Sequence, residues 1–232
     1  MLVIKIKDFL KSTLIDYPGE LAVTIFTGGC NFRCSYCQNP ELIGNDKPDI
    51  SEDVVFKHLN ERKKWLTGVC ITGGEPCLQR NLPEFISKIK SLGLKVKLDT
   101  NGSNPDLLKQ LIDNKLLDYI AMDIKAPLNK YALVANVNVD INSIRKSVEL
   151  IKNSGVDYEF RTTIVPKLLS KEDLLQIFEW LKGSKKYYLQ QFRPNVVLDK
   201  EYEKEKSYKP NELKEFIRIA KPFFQICEVR GI

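Results

Sequence analysis

The chain has 232 residues, 43% of them apolar, enough for one large domain or two small ones. Lysine and arginine number 36 against 30 aspartates and glutamates, giving a net charge of +6 with the two signs interleaved, as in KEYEKEKSYK (200–209). That reads as a solvated surface; the basic surplus permits an acidic partner or RNA without arguing for one, and no nucleic-acid partner is expected. No run of about 18 apolar residues is present to span a bilayer, so no membrane partner is expected. The opening MLVIKIKDFLKST lacks the apolar core of a secretory signal, so a cytoplasmic location is expected. Six cysteines in that compartment do not read as a disulfide framework.

Short β-branched runs alternate with stretches of helical apolar spacing. LAVTIFTGG (21–29) predicts a strand ending in glycines. SEDVVFKHLNERKKWL (51–66) predicts a helix capped by Ser51 with acids in its first turn. A strand at 68–74, a helix at 82–93 and a strand at 94–102 follow. The helix at 104–115 has Asn104 as N-cap and Pro105 at its first position. Then come a strand at 117–126, a helix at 140–155, a strand at 157–166, a helix at 170–184 and a strand at 187–194. A helix at 210–222 and a final strand at 223–232 close the chain.

Six strand–helix units in strict alternation predict an α/β fold of parallel strands with helical crossovers. Nothing in composition divides the chain, so one domain over 1–232 is expected, with its core at 20–195 and a C-terminal helix and strand at 210–232. Six units suit a partial, TIM-like (β/α)6 barrel; a doubly wound open sheet is the alternative. Both place a ligand at the C-terminal strand ends. There stand TGGC, TGGEP, DTNG, MDIK, RTT and QQFRP, which together predict a single site.

GGCNFRCSYCQNP (28–40) gathers Cys30, Cys34 and Cys37 in one polar loop, while Cys70, Cys77 and Cys227 are scattered and read as ordinary thiols. Thiolates hold soft metals and iron–sulfur clusters. A structural zinc site needs four ligands, and here a fourth would have to come from His58, predicted inside a helix, or Cys70, predicted mid-strand. Three cysteines on a four-iron, four-sulfur cube would leave one iron open, as catalytic metal sites require. Cys77, after Pro76, is expected near the mouth of the site.

The CxxxCxxC spacing with Tyr36 before the last cysteine resembles the signature of the radical S-adenosylmethionine (SAM) superfamily. GGEP (73–76) resembles that family's glycine-glycine-glutamate segment, while DTNG (99–102) and DIK (123–125) resemble a pair found in glycyl-radical-enzyme activases. STLIDYPGELAVTIFTGGCNFRCSYCQNPEL is similar to the activating proteins of anaerobic ribonucleoside-triphosphate reductase. The resemblance spans about residues 10–195. It implies one 4Fe–4S cluster on Cys30, Cys34 and Cys37, whose open iron takes SAM. One electron from the reduced cluster then yields a 5′-deoxyadenosyl radical.

Gly73, Gly74 and Glu75 would receive the methionine amino group, and Tyr36 would stack on adenine. Asp99, Asn101, Asp123 and Lys125 would line the ligand. Arg161 and Arg193 would clamp its carboxylate or ribose, Arg193 standing where related activases have a histidine near adenine. The likeness to pyruvate formate-lyase activating enzyme implies a monovalent cation between Asp99 and Asp123, with carbonyls from Thr100 and Ala121. The implied partners are a glycyl-radical enzyme, foremost anaerobic ribonucleotide reductase, and a low-potential donor such as flavodoxin or ferredoxin. Little chain after residue 195 is left to build a private substrate pocket. The alternatives are a radical enzyme acting directly on a nucleoside, tRNA or small molecule, and a non-enzymatic metal-binding module.

Overall fold

A computed structural model describes residues 4–44 and 48–231. Its strands form a single eight-stranded sheet in chain order: β1 (Ile6–Thr13), β2 (Ala22–Thr27), β3 (Gly68–Gly73), β4 (Lys95–Thr100), β5 (Tyr119–Asp123), β6 (Asp157–Ile164), β7 (Lys186–Gln191) and β8 (Ile226–Arg230). From β2 to β8 all neighbours are parallel. β1 and β8 are edges and do not pair with each other, so the sheet is a half barrel open along one side. The expected parallel α/β partial barrel is the fold found. The predicted last strand is β8, except that Ile232 lies outside the described residues.

The N-terminal strand was not expected. β1 runs antiparallel to β2, from Ile6↔Thr27 to Thr13↔Ala22. Its residues from Asp8 onward are mostly exposed, the pattern of an edge strand, with Lys11 facing water while Lys7 is buried and paired with Asp49.

The helices cover the outer face: α1 (Glu52–Arg62), α2 (Leu82–Ser91), α3 (Pro105–Asp113), α4 (Tyr131–Ala135), α5 (Ile141–Asn153), α6 (Lys171–Leu181) and α7 (Pro210–Ala220). Local chemistry sets their starts. Ser51 Oγ accepts from Asp53 N–H, and Ser170 and Asp173 form a capping box at α6. α1 ends short of the predicted residue 66 because the chain turns after Arg62 to deliver Leu66 to the core at the foot of β3. α4 is an unforeseen single turn, and its Ala135 carbonyl accepts from Arg33 N–H at 2.9 Å, bracing the cysteine loop.

Side chains alternate across the strands. Val23, Ile25, Val69, Ile71, Val96, Leu98, Ile120, Met122, Phe160 and Leu189 are buried in the core shared with the helices. Each such burial contributes about 1.5–3 kcal/mol. The opposite, concave face carries Thr24, Cys70, Lys97, Asp99, Glu159 and Arg161 instead. Parallel strands buried on both faces are ordinarily apolar throughout, so this polar lining sets the concave face apart as the place for chemistry.

Candidate active site

The strand ends frame a cavity of about 690 Å³. All thirteen site residues predicted from sequence border it: Cys30, Cys34, Tyr36, Cys37, Gly73, Gly74, Glu75, Asp99, Asn101, Asp123, Lys125, Arg161 and Arg193.

The cysteine loop is built on its own backbone. Cys37 N–H donates to Cys34 O at 2.9 Å, and Arg33 caps the carbonyls of Cys30 and Phe32 at 2.6 and 2.8 Å. Phe32 N–H points at Cys30 Sγ, 3.4 Å away, the kind of contact that steadies a thiolate. Cys34 is buried, and Cys30 and Cys37 are half-buried. Burial pushes the Cys30 thiol up to about 11 and raises Cys34 as well, so a metal must displace their protons.

Among the described residues no three His, Cys, Asp or Glu side chains converge on one point to hold a single metal ion. His58 is engaged elsewhere, its Nε2 2.9 Å from the Lys11 carbonyl on β1. Cys70 lies buried beside Lys97 and Asp99. Three soft donors bordering one cavity, with no fourth gathered to them among the described residues, suit three iron corners of a cluster rather than a tetrahedral zinc. Cys77 is 1% exposed with its Sγ 3.6 Å from the Thr100 hydroxyl, which corrects the expectation that it lies near the mouth.

The glycine pair of TGGEP serves a closer approach than expected. Gly73 has φ +115°, and Gly74 lies so near the cysteine loop that a Cβ would stand 2.0 Å from Gly29 O. Gly74 N–H donates to Thr27 O and Glu75 N–H to Gly29 O, both at 2.8 Å. The close partner of these glycines is thus the backbone that carries the cysteines.

Glu75 is 1% exposed. Its carboxylate accepts from Cys77 N–H at 3.0 Å, the Thr100 hydroxyl at 2.7 Å and Asn101 N–H at 2.6 Å. A carboxylate has about four acceptor positions, so one is left for a ligand N–H. Asn101 extends the brace by donating from Nδ2 to Asn31 Oδ1 at 2.9 Å. Tyr36 is buried with an unpartnered hydroxyl. Arg193 turns to the last strand: its guanidinium donates to Gly231 O at 3.1 and 3.3 Å, and its carbonyl accepts from Gln38 Nε2 at 2.9 Å, tying β8 to the cysteine loop.

A buried ion network crosses the floor. Asp99 is paired with Lys97 on one oxygen and with Arg161 Nη1 on the other, at 3.2 Å. Asp123 takes Arg161 Nε at 2.9 Å and Lys125 Nζ at 3.2 Å. The place between the two carboxylates, which the resemblance reserves for a monovalent cation, is filled by the Arg161 guanidinium. Beyond it Arg230 grips Glu159 with two bonds, 2.6 and 2.8 Å, stacks 3.5 Å over Tyr188, and Tyr119 donates to the same carboxylate at 2.8 Å. Sequence reasoning missed Lys97, Glu159 and Arg230. The signal was a charged residue at an alternate position inside an otherwise apolar strand, as in KVKLD and DYEFR.

Burial alone would raise the Asp123 carboxyl, but the charges of Arg161 and Lys125 outweigh it and hold it at about 2. A carboxyl depressed in the folded state stabilises the fold above its unfolded value, about 3.9, and loses that contribution as pH falls through about 2. Between pH 4 and pH 2 the protein is therefore expected to lose about 2 kcal/mol more unfolding free energy than an Asp123→Asn variant. Denaturant titrations at the two pH values check this; equal losses would contradict it.

An open parallel half barrel with three cysteines at the C-terminal strand ends defines a class of radical-generating α/β enzymes. The chain belongs to the Radical SAM superfamily, whose profile matches residues 24–181. A Methanocaldococcus jannaschii protein whose name assigns it provisionally as a glycyl-radical enzyme activating enzyme is 36% identical over 223 residues, covering 94% of this chain and 92% of its own. The pyruvate formate-lyase-activating enzyme of Listeria monocytogenes is 27% identical over 184 residues, 72% of each chain. The fold is similar to that of Streptococcus suis SuiB bound to precursor peptide SuiA, with a TM-score of 0.69, 14% identity and coverage of 90% of this chain and 48% of SuiB. Membership makes the chain a radical SAM enzyme, whose family works with a 4Fe–4S cluster and SAM. Among the described residues no helix is long and apolar enough to cross a membrane.

Proposed function

We propose that this enzyme generates a glycyl radical on a partner protein, and that the partner is an anaerobic ribonucleoside-triphosphate reductase. The observation that carries the reading is the open side of the half barrel, between the unpaired edges β1 and β8, beside a cavity rimmed by the three cysteines. An open flank admits a loop of another protein. The activating-enzyme relatives support the same reading.

When bound, the reduced cluster would supply one electron to the sulfonium C–S bond of SAM, which would break to methionine and a 5′-deoxyadenosyl radical. The chain's residues do the rest. Cys30, Cys34 and Cys37 hold the three ligated corners. Lys125 and Arg161 face the cavity as donors for the ligand carboxylate, and the spare acceptor position of Glu75 suits its ammonium group. Buried Phe32 and Tyr36 wall the site against water, where a reactive radical would be quenched. The chemistry so supplied would take a hydrogen atom from Cα of the partner's glycine, giving 5′-deoxyadenosine and a radical shared by the two flanking peptide groups. A flavodoxin or ferredoxin fits as the electron donor. The protein works where oxygen is absent, in the cytoplasm.

Electron paramagnetic resonance decides between this and direct action on a small molecule. Reconstituted enzyme, SAM, reductant and a candidate reductase are expected to give a glycyl doublet that vanishes when the reductase glycine is replaced by alanine. 5′-Deoxyadenosine formed with no protein radical on any glycyl-radical enzyme, but coupled to turnover of a nucleoside, would overturn it.

A further inference from the structure

The floor of the cavity is a closed ionic unit. All four oxygens of Asp99 and Asp123 face cationic groups of the chain itself: Lys97, Arg161 twice, and Lys125. Three cations thus serve two carboxylates. The next pair outward, Glu159 with Arg230, is balanced one to one; Glu159 also stands 4.0 Å from Arg161, and counting these groups together with Asp99, Asp123, Lys97 and Lys125 still leaves one positive charge in excess. Lys97 and Arg161 are 2% and 11% exposed, so neither can swing into water to make room for a metal. Arg161 is fixed further, since its forked donors span both carboxylates. A sodium or potassium ion placed there would have to displace a guanidinium from a buried pair and would sit among like charges in a region of weak screening. The residues present therefore do not fit an alkali cation.

We propose that this site works without a monovalent metal ion: Arg161 supplies the positive charge between Asp99 and Asp123, Lys97 neutralises the far oxygen of Asp99, and the surplus charge, carried by Arg161 and Lys125 at the cavity wall, receives the carboxylate of SAM. The inference rests on the reading of the cavity as a SAM site. Lys97 acts as a positioning residue, reaching the ligand only through Asp99 and Arg161. It holds one Asp99 oxygen, which leaves Arg161 to span the other oxygen and Asp123.

The test is equilibrium binding of SAM to the reconstituted protein, by calorimetry, at constant ionic strength with potassium, sodium or tetramethylammonium as the sole monovalent cation. Affinities within twofold of each other are expected. Affinity at least tenfold weaker in tetramethylammonium and restored by potassium or sodium would overturn the proposal. Lys97→Met is expected to acquire such a salt dependence and Lys97→Arg to remain free of it, a distinction that a merely structural role would not produce. Should Lys97→Met fail to fold, the wild-type comparison stands by itself. Absence of SAM binding in every salt would count against the SAM reading, whereas only a difference between salts counts against this one.

Discussion

Cys34→Ala is expected to abolish cluster-dependent cleavage of SAM, reducing 5′-deoxyadenosine to the level found without protein. Cys34 is the most buried of the three loop cysteines, at 6% exposure, and its carbonyl receives Cys37 N–H, so it anchors the turn that aims the other two. Among the described residues no histidine or acidic group is gathered with them to act as a substitute ligand. Cys227→Ala serves as the control, because Cys227 lies on β8 outside the cavity lining. It should keep its iron, its sulfide and its rate. Full cleavage by Cys34→Ala would contradict the assignment of the ligands.

Arg161→Leu is expected to be the most destabilising single change in the site. It strips Asp99 and Asp123 of the group that bridges them and leaves each buried carboxylate with one lysine, Lys97 or Lys125, and one oxygen unpaired. Breaking a buried pair in this way costs about 3–5 kcal/mol. For a domain of this size that corresponds to a fall in melting temperature of roughly 6–20 °C. Arg161→Lys keeps the charge but reaches only one carboxylate at a time, so it should fold, melt a few degrees lower and bind SAM more weakly. Both are checked by calorimetric melting of the metal-free and reconstituted protein. A melting temperature for Arg161→Leu within 2 °C of wild type would contradict the bridging role.

How far the sequence could be read follows from what kind of signal each residue gives. The spacing of Cys30, Cys34 and Cys37 is local, so the chain announces the cluster loop by itself. Asp99 and Asp123 were found because their strands end there, and parallel strands bring the C-terminal ends to one rim; Arg161 lies within β6, level with Asp123. Lys97, Glu159 and Arg230 stand earlier in their strands or on the last edge. Alternation says that they share a face with Asp99 and Arg161 but not that this face is concave and polar. β1 was missed because its residues alternate apolar and charged only over a short stretch and mostly face water from Asp8 onward, a composition that an edge strand tolerates. Glu75 was read as a ligand acceptor. Its three internal donors come from Cys77, Thr100 and Asn101, two of them on a different strand and loop, and their approach is a tertiary fact. Arg193 seemed poised for adenine, yet its guanidinium is taken by the Gly231 carbonyl, 38 residues away.

Iron, acid-labile sulfide and zinc analysis of oxygen-protected protein, followed by addition of SAM and a reductant, tests the central claim most directly. The account predicts one four-iron, four-sulfide cluster per chain, little zinc, and 5′-deoxyadenosine and methionine formed in equal amounts. A single zinc ion per chain without sulfide, and SAM recovered intact, would contradict it.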